Sequence, residues 1–389
     1  MIFDFVVIGG GISGACAAHE LAALGSVVLL EAETSAGYHS TGRSAALFTP
    51  NYGDKVVRGI IAASRPFFEN PCGSFAATPL LGPRGLMTVA ARGDEHLLDA
   101  VRAGASTAAP VDTLSADEAI ALSPLLRAGQ VGAAVIEPGV ADIDVATFHQ
   151  TMLRDFKHRG GIVKLGCRID TLVHSDNGWT ITAGAQSIRG ATLVNAAGAW
   201  GEHIGALAGA RPVGLVPKRR SAILVDPPGG RALSQMPVVE FAGQEIYLKP
   251  EAGRLMASPG DATPCPAHDV RPDEMDIAVL VDWLQRHTHI NVTRIAHSWA
   301  GLRSFVADGV PVMGFDDEVP DFFWLIGQGG YGIMMAQPLA RATAFLMQRN
   351  NLPDDLLMHG VTLSDLGVQR CRRAAVERPA AASTTKVTP

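Results

Sequence analysis

Three glycines near the start of the chain are spaced to hold a phosphate. Gly9-x-Gly11-x-x-Gly14 lies between an apolar run, residues 5–8, and a stretch of small and apolar residues from Ala15 to Leu24. In such a motif the first glycine permits a tight turn and the second lets a pyrophosphate approach the backbone. The third lets helix and strand pack closely. The phosphates then sit at a helix N-terminus, where free N–H groups and the dipole favour anions. Gly9, Gly11, Ile12, Ser13 and Gly14 are therefore expected to bind a dinucleotide. Glu31, followed by Ala32, ends the next apolar run, Val27 to Leu30. Its carboxylate can accept from both ribose hydroxyls and would repel a 2′-phosphate, which argues against NADP. A plain glycine turn in an unrelated α/β fold is the competing reading, and Ala18, Gly25 and Glu31 weigh against it.

One such unit binds one ADP moiety, so a flavin needs support from elsewhere in the chain. Gly327-Gln-Gly-Gly-Tyr-Gly332 can provide it, because it again joins an apolar run (322–326) to a helical pattern. Gly329, Gly330, Tyr331, Gly332 and Ile333 would place a helix N-terminus against an electron-rich part of the ring. Positive potential there would stabilise negative charge developing during reduction. The blander reading is a flexible turn.

These motifs need elements to hold them. Strand, helix and strand within the first thirty residues make a βαβ unit. Residues 90–130 read as helical, 145–159 as an amphipathic helix, and 161–173 as one strand. Further strands are expected at 179–181 and 191–194. Residues 213–258 are strand-rich with Pro and Gly punctuation, suggesting an antiparallel sheet, and a helix is expected over 275–287. The tail beyond Leu366 lacks periodicity and reads as disordered. The predicted fold is α/β in two domains. A Rossmann-type FAD-binding domain is assembled from residues 1–78, 142–205 and 300–366, and a domain built on an antiparallel sheet from 79–141 and 206–299.

The chain has 389 residues, 47% hydrophobic and 18% charged, with a formal net charge of −6. That balance offers no steering toward nucleic acid or anionic membrane, so an acidic substrate must be drawn by individually placed arginines. Five scattered cysteines without CxxC spacing suggest a reducing compartment and no zinc site. The N-terminal apolar run passes directly into the glycine motif and reads as a strand, not a signal peptide. No apolar run is long enough to span a membrane, and the expected location is cytoplasmic.

Longer stretches carry a family resemblance. Gly37-Tyr-His-Ser-Thr-Gly-Arg-Ser-Ala-Ala46, Pro217-Lys-Arg-Arg-Ser-Ala222, Tyr247-Leu-Lys-Pro250, Trp299-Ala-Gly-Leu-Arg-Ser-Phe-Val-Ala-Asp-Gly309 and Gln328-Gly-Gly-Tyr-Gly-Ile333 together resemble the FAD-dependent D-arginine dehydrogenases. That group lies within the larger D-amino-acid oxidase, glycine oxidase and sarcosine oxidase family. The resemblance spans roughly residues 1–366. It implies non-covalent FAD lined by Ser40, Thr41, Arg43, Ser44 and Ala45, with Ile169, Ala197 and Gly198 also at the cofactor. It implies hydride transfer from the substrate Cα to the flavin, and hydrolysis of the imino acid to an oxo acid and ammonia. Electrons would pass on to a quinone, another carrier, or O2.

By the same resemblance Arg220 and Arg303 grip the substrate carboxylate, for which a planar guanidinium fork is well matched. Tyr247 and Tyr52 contribute hydroxyls over the substrate, and Gly330 borders it. Arg219 is expected to point elsewhere or pair with an acid. Three positions depart from the D-arginine enzymes: Leu47 replaces a histidine, Leu86 replaces the glutamate that meets the guanidinium, and Met334 replaces a glutamine. These departures predict a pocket for a hydrophobic or neutral D-amino acid. No residue reads as an obvious general base, so kcat/KM is expected to rise with pH to a plateau set by loss of the amine proton.

Other signals are weaker. His287-x-His289 with His297 has no acidic or cysteine neighbours and fits solvent better than metal, so no metal is expected. Asp142-x-Asp144 sits at a helix start and fits N-capping. The alternatives are an oxygen-using oxidase, an enzyme of a secondary amine acid or 2-hydroxy acid, and a flavin-binding sensor or subunit without turnover. The last would be yellow yet bleached by no amino acid.

Overall fold

A computed structural model describes residues 2–71, 73–75, 79–230, 233–349 and 351–376. The first apolar run forms the strand Ile2–Ile8, the small-residue stretch the helix Ile12–Leu21, and the next run the strand Val27–Leu30. The two strands pair in parallel, Val6 with Val28 and Ile8 with Leu30. All four side chains of Val27–Leu30 are buried, as expected of a parallel strand covered on both faces.

This unit sits at the centre of an eight-stranded sheet. Ile2–Ile8 also pairs in parallel with the long strand Gln186–Asn195. The far end of that strand, residues 193–195, pairs in parallel with Phe322–Ile326. The strands that precede both glycine loops therefore end at the same edge of the sheet.

Residues 161–173 do not form one strand. Ile162–Lys164 extends the parallel sheet beside Val27–Leu30, while Thr171–Ser175 joins an antiparallel hairpin on the other side. Gly166, at φ +68°, breaks the run. The crossing segment is tied to the strand end by Cys167 N–H donating to the Glu31 carbonyl at 2.8 Å.

A second eight-stranded sheet carries the strand-rich segment. Its order by strand range is Ile295–Phe305, Val216–Val225, Arg254–Ser258, Tyr247–Glu251, Val238–Phe241, Leu86–Ala91, Val131–Glu137 and Asp112–Ser115. It is antiparallel apart from one parallel pair, Val238–Phe241 with Leu86–Ala91. The region 90–130, expected to be helical, contributes the edge strand Asp112–Ser115 between the helices Leu98–Gly104 and Ala116–Leu122. A capping box at Ser115 and Glu118 starts the second of these helices, so local capping turns the chain out of the sheet.

Past Leu366 a helix, Val368–Val376, stands where a disordered tail was expected. Arg370 donates to Asp308 at 2.8 Å and to the Val310 carbonyl at 2.6 Å, and Arg372 donates to Asp316 at 2.6 Å. These arginines hold the helix, and Val368 and Cys371, one turn apart, pack its one apolar edge against the core. The rest of the expected tail lies outside the described residues. Asp144 caps the helix Val145–His158 by accepting from Thr147 N–H at 2.9 Å, and Arg84 and Lys249 hold Asp142 at 2.5 and 3.1 Å. No helix among the described residues is long and apolar enough to cross a membrane.

Candidate active site

A cavity of about 850 Å³ runs from the first glycine loop to the second sheet. Gly9, at φ +109°, brings its own carbonyl against Gly14. A Cβ at Gly14 would lie 1.8 Å from the Gly9 oxygen, and a Cβ at Gly9 would lie 2.4 Å from the Ala196 oxygen. Gly14 is thus a packing residue; of the predicted site residues it alone does not line the cavity. A Cβ on Gly11, in contrast, would meet only Thr41 Oγ1 at 3.2 Å. Gly11 N-caps the helix without a side-chain cap, as a phosphate cradle requires.

The two glycine loops meet in space. The Ser13 hydroxyl donates to Gln328 Oε1, while Gln328 Nε2 is buried without a partner. Glu31 already serves the backbone, accepting from Gly10 N–H at 2.7 Å and Glu33 N–H at 2.8 Å. Arg43 lines the cavity, but its guanidinium donates to Asp269 at 2.6 Å and to the Ala300 carbonyl at 3.1 Å. Its role is to strap the 37–46 segment to the second sheet. The Ser40 hydroxyl donates to the Leu302 carbonyl at 2.6 Å, another strap. Lys249, 4% exposed, donates to the Ala45 carbonyl at 2.8 Å, beside Ala46 at φ +55°.

The second sheet forms the far wall. Seven neighbouring strands reach the cavity, among them through Arg303, Arg220, Met256, Tyr247, Glu240, Leu86 and Glu137. Registration puts them on one face. Arg220 lies opposite Gly301 and Lys218 opposite Arg303; Glu240 faces Tyr247, and Leu86 faces Glu137. Side chains alternate along strands, so Arg219 points to the other face. There it is bound by Asp261 at 3.0 Å and Asp276 at 2.7 Å, as expected. Leu47, Met334 and Tyr52 complete the wall from other elements, and the Tyr52 ring lies 5.7 Å from Tyr331.

Arg220 and Arg303 have no acidic partner among the described residues, and Arg220 Nε is buried with no hydrogen bond. Burial, and then the charge of Arg303, push the Arg220 guanidinium below its ordinary range. Two adjacent cations without a counter-ion in a cleft call for an anion.

Residues 4–346 match the DAO family, FAD dependent oxidoreductase. The chain belongs to that family. It is 21% identical over 389 residues to glycine oxidase of Geobacillus kaustophilus, covering 94% of this chain and 99% of that protein. The crystal structure of that oxidase superposes with a TM-score of 0.76 at 20% identity, over 95% of this chain and 98% of the other. Mitochondrial dimethylglycine dehydrogenase of Mus musculus is 24% identical over 385 residues, which is 91% of this chain and 43% of that protein. The chain thus spans less than half the length of the dimethylglycine dehydrogenase that it matches. L-amino acid deaminase of Proteus vulgaris shares the fold, with a TM-score of 0.74 at 14% identity over 95% and 97% of the two chains.

As a DAO-family protein the chain binds FAD, and its residues fit the group: a helix start at Gly11 where only Ile12 N–H is taken by a side chain, the Thr41 hydroxyl, room for a pyrophosphate beside Gly11, and the orphaned Gln328 amide at the opposite loop. The predicted cofactor residues, Gly14 apart, come together around one cavity, as do the predicted substrate residues. The sequence reading missed Glu137 and Glu240. Their presence corrects the expectation of a wall without a carboxylate and of a site without a titratable candidate base. Asn51 holds Glu137 at 2.8 Å. Burial, then the charges of Glu137 and Glu245, raise Glu240 to about 7 against Arg220 and Arg303. Val238 and Glu240 share one face of their strand, but only the register against Tyr247 aims that face at the cavity.

A raised carboxyl stabilises the fold fully below its unfolded pKa of 4.5 and loses that contribution as pH rises through about 7. Glu240→Gln cannot ionise. Its Tm relative to the parent is therefore expected to rise between about pH 5 and about pH 8, by up to roughly 3 kcal/mol of stability. A Tm difference that stays constant across that window would contradict the assignment.

Proposed function

We propose that the chain oxidises an α-amino acid at its Cα–N bond. The imino acid then leaves and is hydrolysed by water to a 2-oxo acid and ammonia. Bound FAD would accept the hydride equivalent. The observation that carries this reading is the unpaired Arg220–Arg303 couple in the same cavity as the two glycine loops. Their guanidinium forks suit a carboxylate, and Tyr247 and Tyr52 stand beside them to order it. Leu47, Leu86, Met256 and Met334 add apolar surface to the same cavity.

The D configuration rests on the resemblance of the 37–46, 217–222 and 299–309 stretches to D-arginine dehydrogenases. Family relatives act on glycine, dimethylglycine and L-amino acids by name, so configuration is the first thing to measure. Anaerobic mixing of the yellow protein with D- and L-amino acids is expected to bleach the flavin with D-isomers alone. Bleaching by L-isomers would reverse the assignment of hand; bleaching by neither would remove the amino acid reading. Repeating the productive mixture with air and with dye separates an oxidase from a dehydrogenase.

A further inference from the structure

We propose that Glu240 selects substrates whose side chain ends in a positively charged nitrogen. The inference rests on the amino acid reading above and deepens it. The wall is polarised across its width. Arg303 and Arg220 stand on adjacent strands at one side, Tyr247 lies between, and Glu240 and Glu137 stand at the other. From the Arg220 strand to the Glu240 strand is three strand spacings, about 14 Å. A carboxylate gripped by the arginines carries its α-nitrogen one carbon away, on the arginine side of that span. What reaches across Tyr247 toward Glu240 is the part of the substrate beyond Cα.

Glu240 is free to meet it. Its carboxyl makes no hydrogen bond or ion pair among the described residues, whereas that of Glu137 behind it is engaged by Asn51. Glu240 also opens into the cavity that holds Arg220, whose buried Nε lacks a partner. A buried carboxylate left unpaired is costly, and an incoming ammonium or guanidinium would relieve that cost together with the repulsion from Glu137 and Glu245. Met256 and the Tyr247 ring stand on the two strands between, offering apolar contact to a methylene chain, and Leu86 lies beyond Glu240. The negative end of the wall thus stands on the strand next to Leu86, two residues past the register of Leu86 with Val238.

The test compares lysine with norleucine, which has the same chain without the terminal amine, each in both configurations, by anaerobic flavin reduction in the holoenzyme. The wild type is expected to favour lysine by about 10- to 100-fold in kcat/KM, the scale of one charge-assisted hydrogen bond. Glu240→Leu and Glu240→Gln are expected to reduce that lysine-to-norleucine ratio by a similar factor, with flavin content checked by absorbance. A wild type that prefers norleucine would overturn the inference and leave the amino acid reading standing. Equal losses on both substrates in the variants would also overturn it, since a proton-accepting or packing role acts on both alike. Reduction by none of the four compounds would overturn the inference, while the amino acid reading stands or falls separately on the screen of D- and L-amino acids above.

Discussion

Arg220→Met is expected to lower kcat/KM for the productive amino acid by about 100-fold or more while the protein stays yellow. A fork donating two charge-assisted hydrogen bonds to a carboxylate is worth about 3 kcal/mol or more, and each 1.4 kcal/mol is about tenfold. The loss should fall mainly on KM if the grip is equal in ground and transition states. Arg220→Lys should recover part of it, since the charge returns without the planar fork. The fold itself should not weaken. Burial and Arg303 both disfavour this cation, so Arg220→Met is expected to keep or raise Tm. Unchanged kcat/KM in a properly folded Arg220→Met protein would mean that the carboxylate is held elsewhere.

Gly11→Ala should separate cofactor binding from folding. Its Cβ would meet one neighbour, Thr41 Oγ1 at 3.2 Å, so the apoprotein should fold with a Tm within a few degrees of the parent apoprotein. The methyl occupies the space through which a pyrophosphate reaches the helix N–H groups. The purified variant is expected to carry at least about tenfold less flavin, an effect of roughly 1.4 kcal/mol or more, read from the visible-to-ultraviolet absorbance ratio. Gly14→Ala makes the contrast. With a backbone oxygen 1.8 Å from the new Cβ, it should lower the Tm of the apoprotein as well. A Gly11→Ala protein that retains full flavin would show that the phosphates lie away from this loop.

The cofactor half of the site was legible because its signals are local. A glycine needed at φ +109°, an apolar strand before it and an acid at the end of the next strand all fall within about thirty residues. The strand over 322–326 and its glycine loop read the same way. Where local cues were mixed, the reading failed. The run 161–173 looks continuous in hydrophobicity, yet a single glycine at 166 sends its halves to opposite sides of the sheet. The helix at 368–376 is held by arginines whose partners, Asp308 and Asp316, lie more than fifty positions earlier.

From the sequence alone came the dinucleotide loop, the α/β class, and, through long motif resemblance, the arginine and tyrosine set. These depend on which residues stand at fixed short spacings, and short spacings survive folding unchanged. The chemical character of the pocket was decided only by tertiary structure. Leu86 suggested an apolar end, but the register of seven strands from five separate stretches of chain set Glu240 and Glu137 on the same face as Arg220. Shifting one strand by a single residue would turn its side chain to the opposite face. The charge at that end is therefore a property of the pairing, and no local pattern along the chain encodes it.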